Sequence, residues 1–547
     1  MAAISGQPDA GQTIRELRQQ LDLNKPKQTT PPPRLEGEKA PAPMVTTNDN
    51  ARMEVKAIHV AGITVFSAAE LESVVAYLVG GEHTLAELNE GAARISAFYH
   101  EHGYVVARAY LPPQEIKNGE VAINVLEGYI GKKSINNQSR LTDQRANDYL
   151  GSAKSGDVLQ AAPVDRLLFI LNETPGVGVA RAVLQPGASV GTADIVFDLT
   201  SSAPYIANIE ADNYGNYYTG AYRLGEELVL NSPFKIGDQL TLRAMDSSQN
   251  LSYGYIAYQV PVGGSGLRLG ATYFNTRYRL GEEYTVLQAH GTASSGSLFA
   301  VYPVTRSPAN SISITLILEN KKLVDTSSDL FFGTTSTTDK QVKLANLGLN
   351  GKHQETLGEA GITSFDLSLV NGRLSMDELS LGFDSASNSA NSNGPFTRLS
   401  YNVNRLQRLN DTNLLSVMLS GQYASKNLNS SEKFSLGGVN AVRAYPQSEA
   451  SGDQGWLTNL ELRHSFSPML QGVMFYDAGS VEINKFQYLA GDNTRHIAGA
   501  GVGANASIAS GQIKASLAWR TSSSQPTSEP AALNNNPRLW VQAGWQF

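Results

Sequence analysis

Residues 205–547 repeatedly alternate apolar and polar side chains, and this pattern limits the segment to β-strands with two different faces. The alternation continues to the last residue, with one face of an extended strand formed by Leu539, Val541, Ala543, Trp545 and Phe547. A soluble protein rarely ends on an alternating strand whose last residue is an exposed aromatic one. In a membrane barrel the last strand closes against the first and turns its apolar side chains towards lipid. The pattern therefore predicts a transmembrane antiparallel β-barrel.

The length of this segment predicts the number of strands. At ~10 residues per strand, with short turns alternating with long loops, residues 205–547 accommodate about 16 strands. Stretches such as Gly254–Val262 and Leu267–Asn275 read as strands, and Asp384–Gly394, rich in serine and asparagine, reads as an exposed loop. The alternative is a soluble β-sandwich, which should show shorter strands and a clearer disulfide or tryptophan core.

Composition excludes several other classes of protein. The net charge of −7 argues against nucleic-acid binding as the main function. No run of about 18 predominantly apolar residues is present, so a membrane-spanning helix is not expected. The chain has no cysteine, which excludes disulfides, cysteine zinc sites and cysteine nucleophiles. No signal peptide is visible, so an exported protein of this sequence is expected to be the processed form with an added methionine.

The N-terminal segment predicts a short helix on a long tether. Residues 13–23 form an amphipathic pattern, with Thr13 and Glu16 as a capping box. One face of this predicted helix holds Ile14, Leu17 and Leu21. Residues 24–52 contain six prolines (Pro26, Pro31, Pro32, Pro33, Pro41 and Pro43) and indicate an extended linker. At ~3.1 Å per residue, such a linker spans up to roughly 85 Å.

Residues 53–128 and 129–202 look like two copies of one small α+β module. Each copy has the predicted order β-α-α-β-β. In the first copy we expect a strand over Glu54–Val60 and two helices that begin with capping boxes, at Ser67 with Glu70 and at Thr84 with Glu87. The second copy holds predicted strands over Ile130–Asn136, Gly178–Leu184 and Ala193–Thr200, with predicted helices over Thr142–Leu150 and Pro163–Asn172.

Two adjacent strands near the C-terminus carry the sharpest candidate site. Over 456–466 and 470–479, alternation turns one set of side chains outward and another into the lumen. The outward set is Trp456, Leu460, Leu462, Phe466, Met474 and Tyr476, and the lumen set includes Asn459, Glu461, Phe475, Asp477 and Gly479. The preceding loop, about 435–455, has a compact tip with one arginine, Arg443. If the tip folds into the barrel, Arg443 leaves bulk water and needs a carboxylate. Asp477 is the preferred partner and Glu461 the second. On periodicity alone, ordinary lumen polar groups and an exposed loop arginine fit equally well.

These residues resemble a known family. Val442-Arg443-Ala444-Tyr445 resembles the V-R-G-[YF] motif in the sixth loop of the polypeptide-transporting outer-membrane barrels, and Phe475-Tyr476-Asp477-Ala478-Gly479 resembles their F-x-D-x-G strand motif. The two modules resemble polypeptide-transport-associated (POTRA) domains, through runs such as Leu111-Pro112-Pro113-Gln114 and Glu127-Gly128. With two modules, a proline-rich linker and a leading helix, the whole chain is similar to the two-partner secretion transporters (TpsB family). Ala444 departs from the family's usual glycine, and we expect its methyl group to restrict the loop tip.

The resemblance implies a function. It implies a monomeric outer-membrane pore, with its POTRA domains in the periplasm, that exports one large secreted partner protein (TpsA-type) without ATP. Helix 13–23 would plug the lumen, and the folded-in loop would be held by Arg443, Tyr445, Asp477, Glu461, Phe475 and Gly479. Outer-membrane lipid would surround the barrel. No cofactor, metal, nucleic acid or enzymatic activity is expected.

Two alternatives compete with this interpretation. The first is a barrel-assembly insertase for outer-membrane proteins, although insertases usually carry more of the soluble modules and lack the leading helix and linker. The second is an outer-membrane enzyme or a passive porin. His100-Glu101-His102 resembles a ligand pair but falls at a helix end before Gly103, where a solvated cap is more common than a metal site. A porin would not need residues 53–202.

Overall fold

The computed structural model describes residues 8–23, 35–36, 51–152, 154–329, 334–355 and 360–547. Within these residues lie an N-terminal helix, two small α+β modules and a large closed barrel. Most of the proline-rich linker predicted over residues 24–52 falls outside the described residues. None of the described helices combines the length and hydropathy that crossing a bilayer requires.

The N-terminal helix α1 (Ala10–Leu23) begins three residues earlier than predicted. Its N-terminal cap is Asp9, whose Oδ1 accepts a hydrogen bond from the backbone N–H of Gln12 at 2.7 Å. The predicted cap, Thr13, lies inside the helix and donates its hydroxyl to the carbonyl of Asp9 at 2.9 Å. The predicted capping box with Glu16 is therefore wrong, because an aspartate one turn upstream takes the position.

The first module has a three-stranded sheet covered by two helices. Its elements are β2 (Arg52–Val55), β3 (Ala57–Ala61), α2 (Ala68–Val74), β4 (Gly81–Thr84), α3 (Leu85–Glu101), β5 (Arg108–Tyr110) and β6 (Glu120–Leu126). The sheet order is β3-β6-β5, and β2 pairs separately with β4. Both predicted capping boxes form, at Ser67 and at Thr84. The predicted strand 54–60 is two strands, because Lys56 and Ala57 both donate to the carbonyl of Gly119 and the chain bends there.

The second module repeats this topology. Its elements are β7 (Tyr129–Asn137), α4 (Asp143–Tyr149), α5 (Ala161–Asn172), β8 (Val177–Pro186) and β9 (Thr192–Ser201). The β7-β9-β8 order matches the β3-β6-β5 order of the first module. A short linker strand, β1 (Leu35–Glu36), adds to the free edge of β8 in parallel, opposite Ala182 and Val183. An extended segment can therefore extend this sheet.

The barrel is one closed antiparallel sheet of 16 strands, as predicted. The strands are β10 (Tyr205–Asp212), β11 (Arg223–Asn231), β12 (Gln239–Ser247), β13 (Leu251–Val262), β14 (Leu267–Arg279), β15 (His290–Arg306), β16 (Asn310–Asp329), β17 (Thr334–Gln354), β18 (Gly361–Met376), β19 (Gly394–Arg408), β20 (Asn413–Ala424), then, after the two short loop strands β21 (Phe434–Ser435) and β22 (Ser451–Gly452), β23 (Gln454–Ser467), β24 (Leu470–Glu482), β25 (Thr494–Ile508), β26 (Gly511–Arg520) and β27 (Arg538–Gln546). A helix, α6 (Glu378–Asp384), lies between β18 and β19. The last strand pairs with the first, and this pairing closes the barrel.

The two faces of the barrel wall follow the sequence alternation. On β27 the exposed side chains are Leu539, Val541 and Trp545, followed by the exposed Phe547, whereas Trp540 is buried on the inner side. On β23 and β24 the exposed side chains are Trp456, Leu460, Leu462, Phe466, Met474 and Tyr476, as predicted. The second module contacts the end of the barrel opposite the long loops: Arg306 Nε donates to Glu173 Oε1 at 2.7 Å, and Arg166 Nη2 to the carbonyl of Pro303 at 2.8 Å.

A buried glutamate ties the first module together. Glu127, at the end of β6, accepts hydrogen bonds from the backbone N–H groups of Thr64 and Val65 at 2.7 and 2.9 Å and from the Tyr99 hydroxyl at 2.8 Å. Burial alone would raise the pKa of Glu127, but these hydrogen bonds and the Thr64 hydroxyl outweigh it and lower the pKa. The Glu127-Gly128 pair thus joins the loop before α2, helix α3 and the end of the sheet.

Replacing Glu127 with glutamine is expected to destabilise the first module by about 2–3 kcal/mol at pH 7, because the strong charged acceptor is lost. The carboxylate has a lowered pKa in the folded state, so its stabilisation is present above the unfolded pKa and fades as the pH falls through the folded pKa. Hydrogen-exchange mass spectrometry of residues 52–128 in the full chain measures both effects. A difference between wild type and variant that stays constant down to pH 3 would contradict this assignment.

Candidate functional site

The loop between β20 and β23, residues 425–453, folds into the barrel; we call it the inward loop. The short β21–β22 ladder forms its base. Its apolar side chains Leu436, Val442, Ala444 and Tyr445 are almost completely buried and pack with Phe475 and Val481 of β24. The tip thus has a small core of its own against the barrel wall.

Arg443 brings together the two carboxylates that the sequence singles out. Its Nε and Nη2 donate to Asp477 Oδ2 and Oδ1 at 2.8 and 2.7 Å, which is bidentate geometry. Nη1 donates to Glu461 Oε1 at 2.7 Å. The backbone N–H of Arg443 adds a contact to Asp477 Oδ2 at 3.1 Å. Asp477 is fully buried, so loss of Arg443 would leave a buried carboxylate without its bidentate cation.

Further side chains complete the surroundings of the Arg443 guanidinium. Its Cζ lies 3.4 Å from the centroid of the Phe475 ring, a cation–π contact. Asn459, on β23, donates its amide to Asp477 Oδ1 at 2.6 Å and to the carbonyl of Ala441 at 2.8 Å. The Trp540 indole N–H donates to the carbonyl of Arg443 at 2.7 Å. Alternation predicts Phe475 and Asn459 on the lumen face, but it gives no signal that Asn459 and Trp540 contact the loop.

Two glycines in the wall allow the loop tip to approach closely. A Cβ at Gly479 would lie 2.6 Å from Leu436 Cδ2 and 2.8 Å from the carbonyl of Trp456. A Cβ at Gly499, on β25, would lie 2.5 Å from the Cβ of Ala444. The expected restriction of the loop by Ala444 is not observed: this residue does not have a positive φ, and its methyl group occupies the space beside Gly499.

Changing Gly499 to alanine is expected to weaken docking of the loop tip by about 1–3 kcal/mol, because two methyl groups would compete for one space. The double change Gly499→Ala with Ala444→Gly should restore docking. Protease accessibility of residues 438–448 in purified protein reports on docking directly. Equal protection of wild type and Gly499→Ala would show that this contact does not hold the tip.

The outer half of the inward loop has a second attachment, to the loop between β26 and β27. Tyr445 is fully buried, and its hydroxyl donates to the carbonyl of Ser524 at 2.7 Å and lies 2.8 Å from Ser522 Oγ. Glu449 accepts from the backbone N–H groups of Thr527 and Ser528 at 3.0 and 2.8 Å and forms an ion pair with Arg495. Sequence reasoning named Tyr445 but missed Glu449, because a single glutamate in a turn-rich loop carries no periodic signal.

Three ion pairs around two buried carboxylates, Glu432 and Asp453, hold the base of the inward loop. Lys321, which points inward from β16, pairs with Glu432 at 2.5 Å, and Arg398 reaches the other oxygen of Glu432 at 3.3 Å. Lys433 pairs with the fully buried Asp453 at 3.0 Å. The sequence gives no signal for these pairs, since their partners lie on strands or turns far apart along the chain.

Helix α1 lies inside the barrel beside the inward loop. Its apolar face, with Ile14 and Leu17, packs on an aromatic wall that includes Tyr253, Phe274 and Tyr278. The side chain of Leu21 lies outside the described residues. The helix is held at its start by Asp325, whose Oδ1 accepts from the Ala10 N–H at 2.8 Å.

Polar contacts join helix α1 to both the loop and the wall. Arg15 is buried and donates to the carbonyl of Ser430 at 2.7 Å and to Ser451 Oγ at 2.9 Å, both in the inward loop. Arg18 forms an ion pair with Glu319 and donates to Ser295 Oγ at 2.8 Å. The helix and the loop therefore obstruct the lumen together.

These features define a class: a polypeptide-transporting outer-membrane barrel, in which POTRA modules precede a 16-stranded wall with a folded-in sixth loop. The family model of the haemolysin secretion/activation proteins ShlB/FhaC/HecB matches residues 191–506, and the ShlB-type POTRA model matches residues 53–128. This chain belongs to that family, the two-partner secretion transporters. The match favours export over the insertase alternative.

Individual relatives agree with the family assignment. The chain is 29% identical over 491 residues to the heme/hemopexin transporter protein HuxB of Haemophilus influenzae, covering 87% of this chain and 84% of the relative. It is 26% identical over 424 residues to the hemolysin transporter protein ShlB of Serratia marcescens, covering 76% and 72%. The solved structure of CdiB from Escherichia coli shares the fold with a TM-score of 0.75 at 18% identity, covering all of both chains.

Proposed function

We propose that this transporter captures one large, unfolded partner protein in the periplasm through its POTRA modules and passes it through the barrel lumen to the outside. The observation that carries the proposal is the nature of the obstruction: a closed 16-stranded barrel is filled by a helix and a loop, both held by side-chain contacts. The polar contacts among these have hydrogen-bonding groups that water or a passing polypeptide can satisfy. The obstruction can therefore be displaced and reformed.

The mode of capture we propose is strand addition to the module sheets. The β1 segment already pairs with the edge of β8, which supports the ability of this edge to accept an extended chain. In the first module, β5 lies at the edge of its sheet. Main-chain pairing gives affinity with modest demands on sequence, and an unfolded partner satisfies those demands.

The route we propose runs between helix α1 and the loop tip. A cavity of about 360 Å³ remains there, lined by Leu17, Arg443, Glu461, Arg243, Asp212 and Lys514 among others. Mixed charges on its walls give a moving chain no single strong binding site. Displacing helix α1 would join this cavity to the rest of the lumen.

The proposal needs no cofactor and no catalysis by this chain. The sequence contains no Gly-x-x-x-x-Gly-Lys-[Ser/Thr] phosphate-binding motif, so we assign the driving force to folding of the partner outside the cell. We propose that one chain forms one pore, surrounded by outer-membrane lipid. Two relatives are named as a heme/hemopexin transporter protein and a hemolysin transporter protein. We therefore propose a large secreted protein as the client of this chain.

Co-expression with the product of the neighbouring open reading frame tests the proposed function. The partner should appear in the medium only when the full chain is present, and should remain in the periplasm when residues 52–201 are deleted. Partner in the medium without the transporter would remove the proposal. A fall in the amounts of other outer-membrane barrels after loss of this chain would favour the insertase alternative.

A further inference from the structure

The outer wall of the barrel carries a pair of exposed cations, Lys343 and Arg373, next to rows of exposed apolar side chains. Strands β16, β17 and β18 turn alternate side chains outward, and the inward set is fixed by Glu319 and Lys321, which contact helix α1 and the inward loop. The outward set on β17 therefore includes Lys343, and its cross-strand partner on β18 is Arg373. Both side chains are exposed.

Two cations directly opposite each other on neighbouring strands repel and destabilise the ladder. Lys343 also faces Asn320 on its other side, so its nearest cross-strand neighbours supply no negative charge. Among the described residues, no carboxylate forms an ion pair with either Lys343 or Arg373. By contrast Lys322, which lies two positions beyond Asn320 on the outward face of β16, pairs with Asp339 at 3.0 Å. The Lys343–Arg373 pair thus lacks the counter-charge that its neighbour has.

The position of the pair along the wall identifies its surroundings. Ile314, Leu316 and Leu318 form the exposed apolar row of β16, and Asn320 follows them opposite Lys343. From Asn310, at the periplasmic end of β16, to Asn320 is ten residues, or about 25 Å along the membrane normal for a strand tilted by ~40°. This equals the height of the apolar band of an outer-membrane barrel, ~25 Å. The basic pair therefore lies where acyl chains end and the headgroups of the outer leaflet begin.

A groove joins the basic pair to the apolar wall beneath it. The groove has a volume of about 780 Å³, and its lining includes Ala271, Leu298, Leu318 and Ala345 as well as Lys343 and Arg373. Small alanines between exposed leucines leave a hollow that an acyl chain can fill. Its apolar floor and basic upper rim match a molecule with hydrocarbon chains and an anionic head.

We propose that this groove binds a phosphorylated glycolipid of the outer leaflet, with a phosphate between Lys343 and Arg373 and an acyl chain on the alanine–leucine floor. A phosphate dianion neutralises both cations, and a guanidinium and an ammonium both donate to its oxygens. The lipid would fasten the β15–β18 side of the wall in the membrane, on the outside of the barrel. This site goes beyond the proposed export function and does not depend on it.

Lipid A with two phosphates, lipid A with one phosphate and fully dephosphorylated lipid A are the probes that test this site. Binding to the purified full chain in detergent is measured by native mass spectrometry. Wild type should bind the bisphosphorylated form about 30-fold more tightly than the dephosphorylated form, at roughly a fivefold factor per cation. The double variant Lys343→Gln/Arg373→Gln should bind both forms equally.

Arg277 provides the matched control, since it is exposed on the same outer wall but faces the neutral Ser252 and Thr292. Arg277→Gln should leave binding of bisphosphorylated lipid A unchanged. Equal affinity of wild type for phosphorylated and dephosphorylated lipid A would overturn the proposal, as would an equal loss in Arg277→Gln. Competition by inorganic phosphate at the same concentration as lipid A would also overturn it, because the groove would then contribute nothing. The wild-type comparison stands even if the double variant does not fold.

Discussion

Replacing Arg443 with alanine is expected to abolish most export of the partner protein. The change leaves Asp477, which is fully buried, without its bidentate cation, and leaves Glu461 with Arg463 alone. Breaking a buried ion pair by removing one partner costs about 3–5 kcal/mol, which shifts the docking equilibrium of the inward loop by more than ~100-fold. The loop tip should then leave the wall. Export measured as partner in the medium, together with protease cleavage at the loop tip, checks both steps.

A charge exchange separates the ion pair from the arginine itself. Arg443→Asp and Asp477→Arg should each block export, and the double change should restore more export than either single change. Arg463→Ala is the matched control, because Arg463 is partly exposed and contacts Glu461 at the far side from Asp477. Its effect should be small, since exposed pairs contribute about 0–1 kcal/mol. The absence of any rescue in the double change would argue against a role for the pair.

Removing residues 1–23 is expected to raise the ion conductance of the pore several-fold. A helix with its side chains is about 10 Å wide, and a barrel of 16 strands otherwise encloses an aqueous channel. Helix α1 fills part of this lumen and is held there by its contacts with Ser430, Ser451 and Glu319. Single-channel recording in planar bilayers measures the change. Unchanged conductance would remove the idea of a plug.

A point variant tests the same idea without shortening the chain. A Cβ at Gly11 would lie 2.2 Å from Ser430 Oγ and 2.8 Å from the backbone nitrogen of Ser431. Gly11→Val should therefore expel the helix and raise conductance about as much as the deletion. Gln12→Ala is the control, because within the described part of the chain the hydrogen bond of the Gln12 side chain goes to Glu16 of the same helix. A low conductance in Gly11→Val would show that the helix can dock in another way.

The sequence predicts the wall of this protein better than its loops. Alternation places Glu461, Phe475 and Asp477 in the lumen. A strand has only two faces, and charged side chains are unfavourable on the face that contacts lipid. The motif around Arg443 then identifies this loop arginine as the partner of the two lumen carboxylates. Both predictions depend on local patterns, and the structure places all of these side chains together.

The contacts that sequence reasoning missed depend on the path of the chain in space. Glu449 finds Thr527 and Ser528 across 78 and 79 positions, and Lys321 finds Glu432 across 111. No spacing rule links such residues. The start of helix α1 was missed for another reason: Asp9 and Thr13 are both good caps, and only the contacts of the docked helix select Asp9.

Export through the lumen is tested most directly by locking helix α1 in place. Asp9→Cys and Ser430→Cys place two sulfur atoms close to each other, since Ser430 Oγ donates to Asp9 Oδ2 at 2.7 Å at the start of the helix, and the sequence has no other cysteine. With the bridge formed, the partner should be absent from the medium, and a reductant should restore its export. Export at the wild-type rate through a bridged transporter would contradict the lumen as the route.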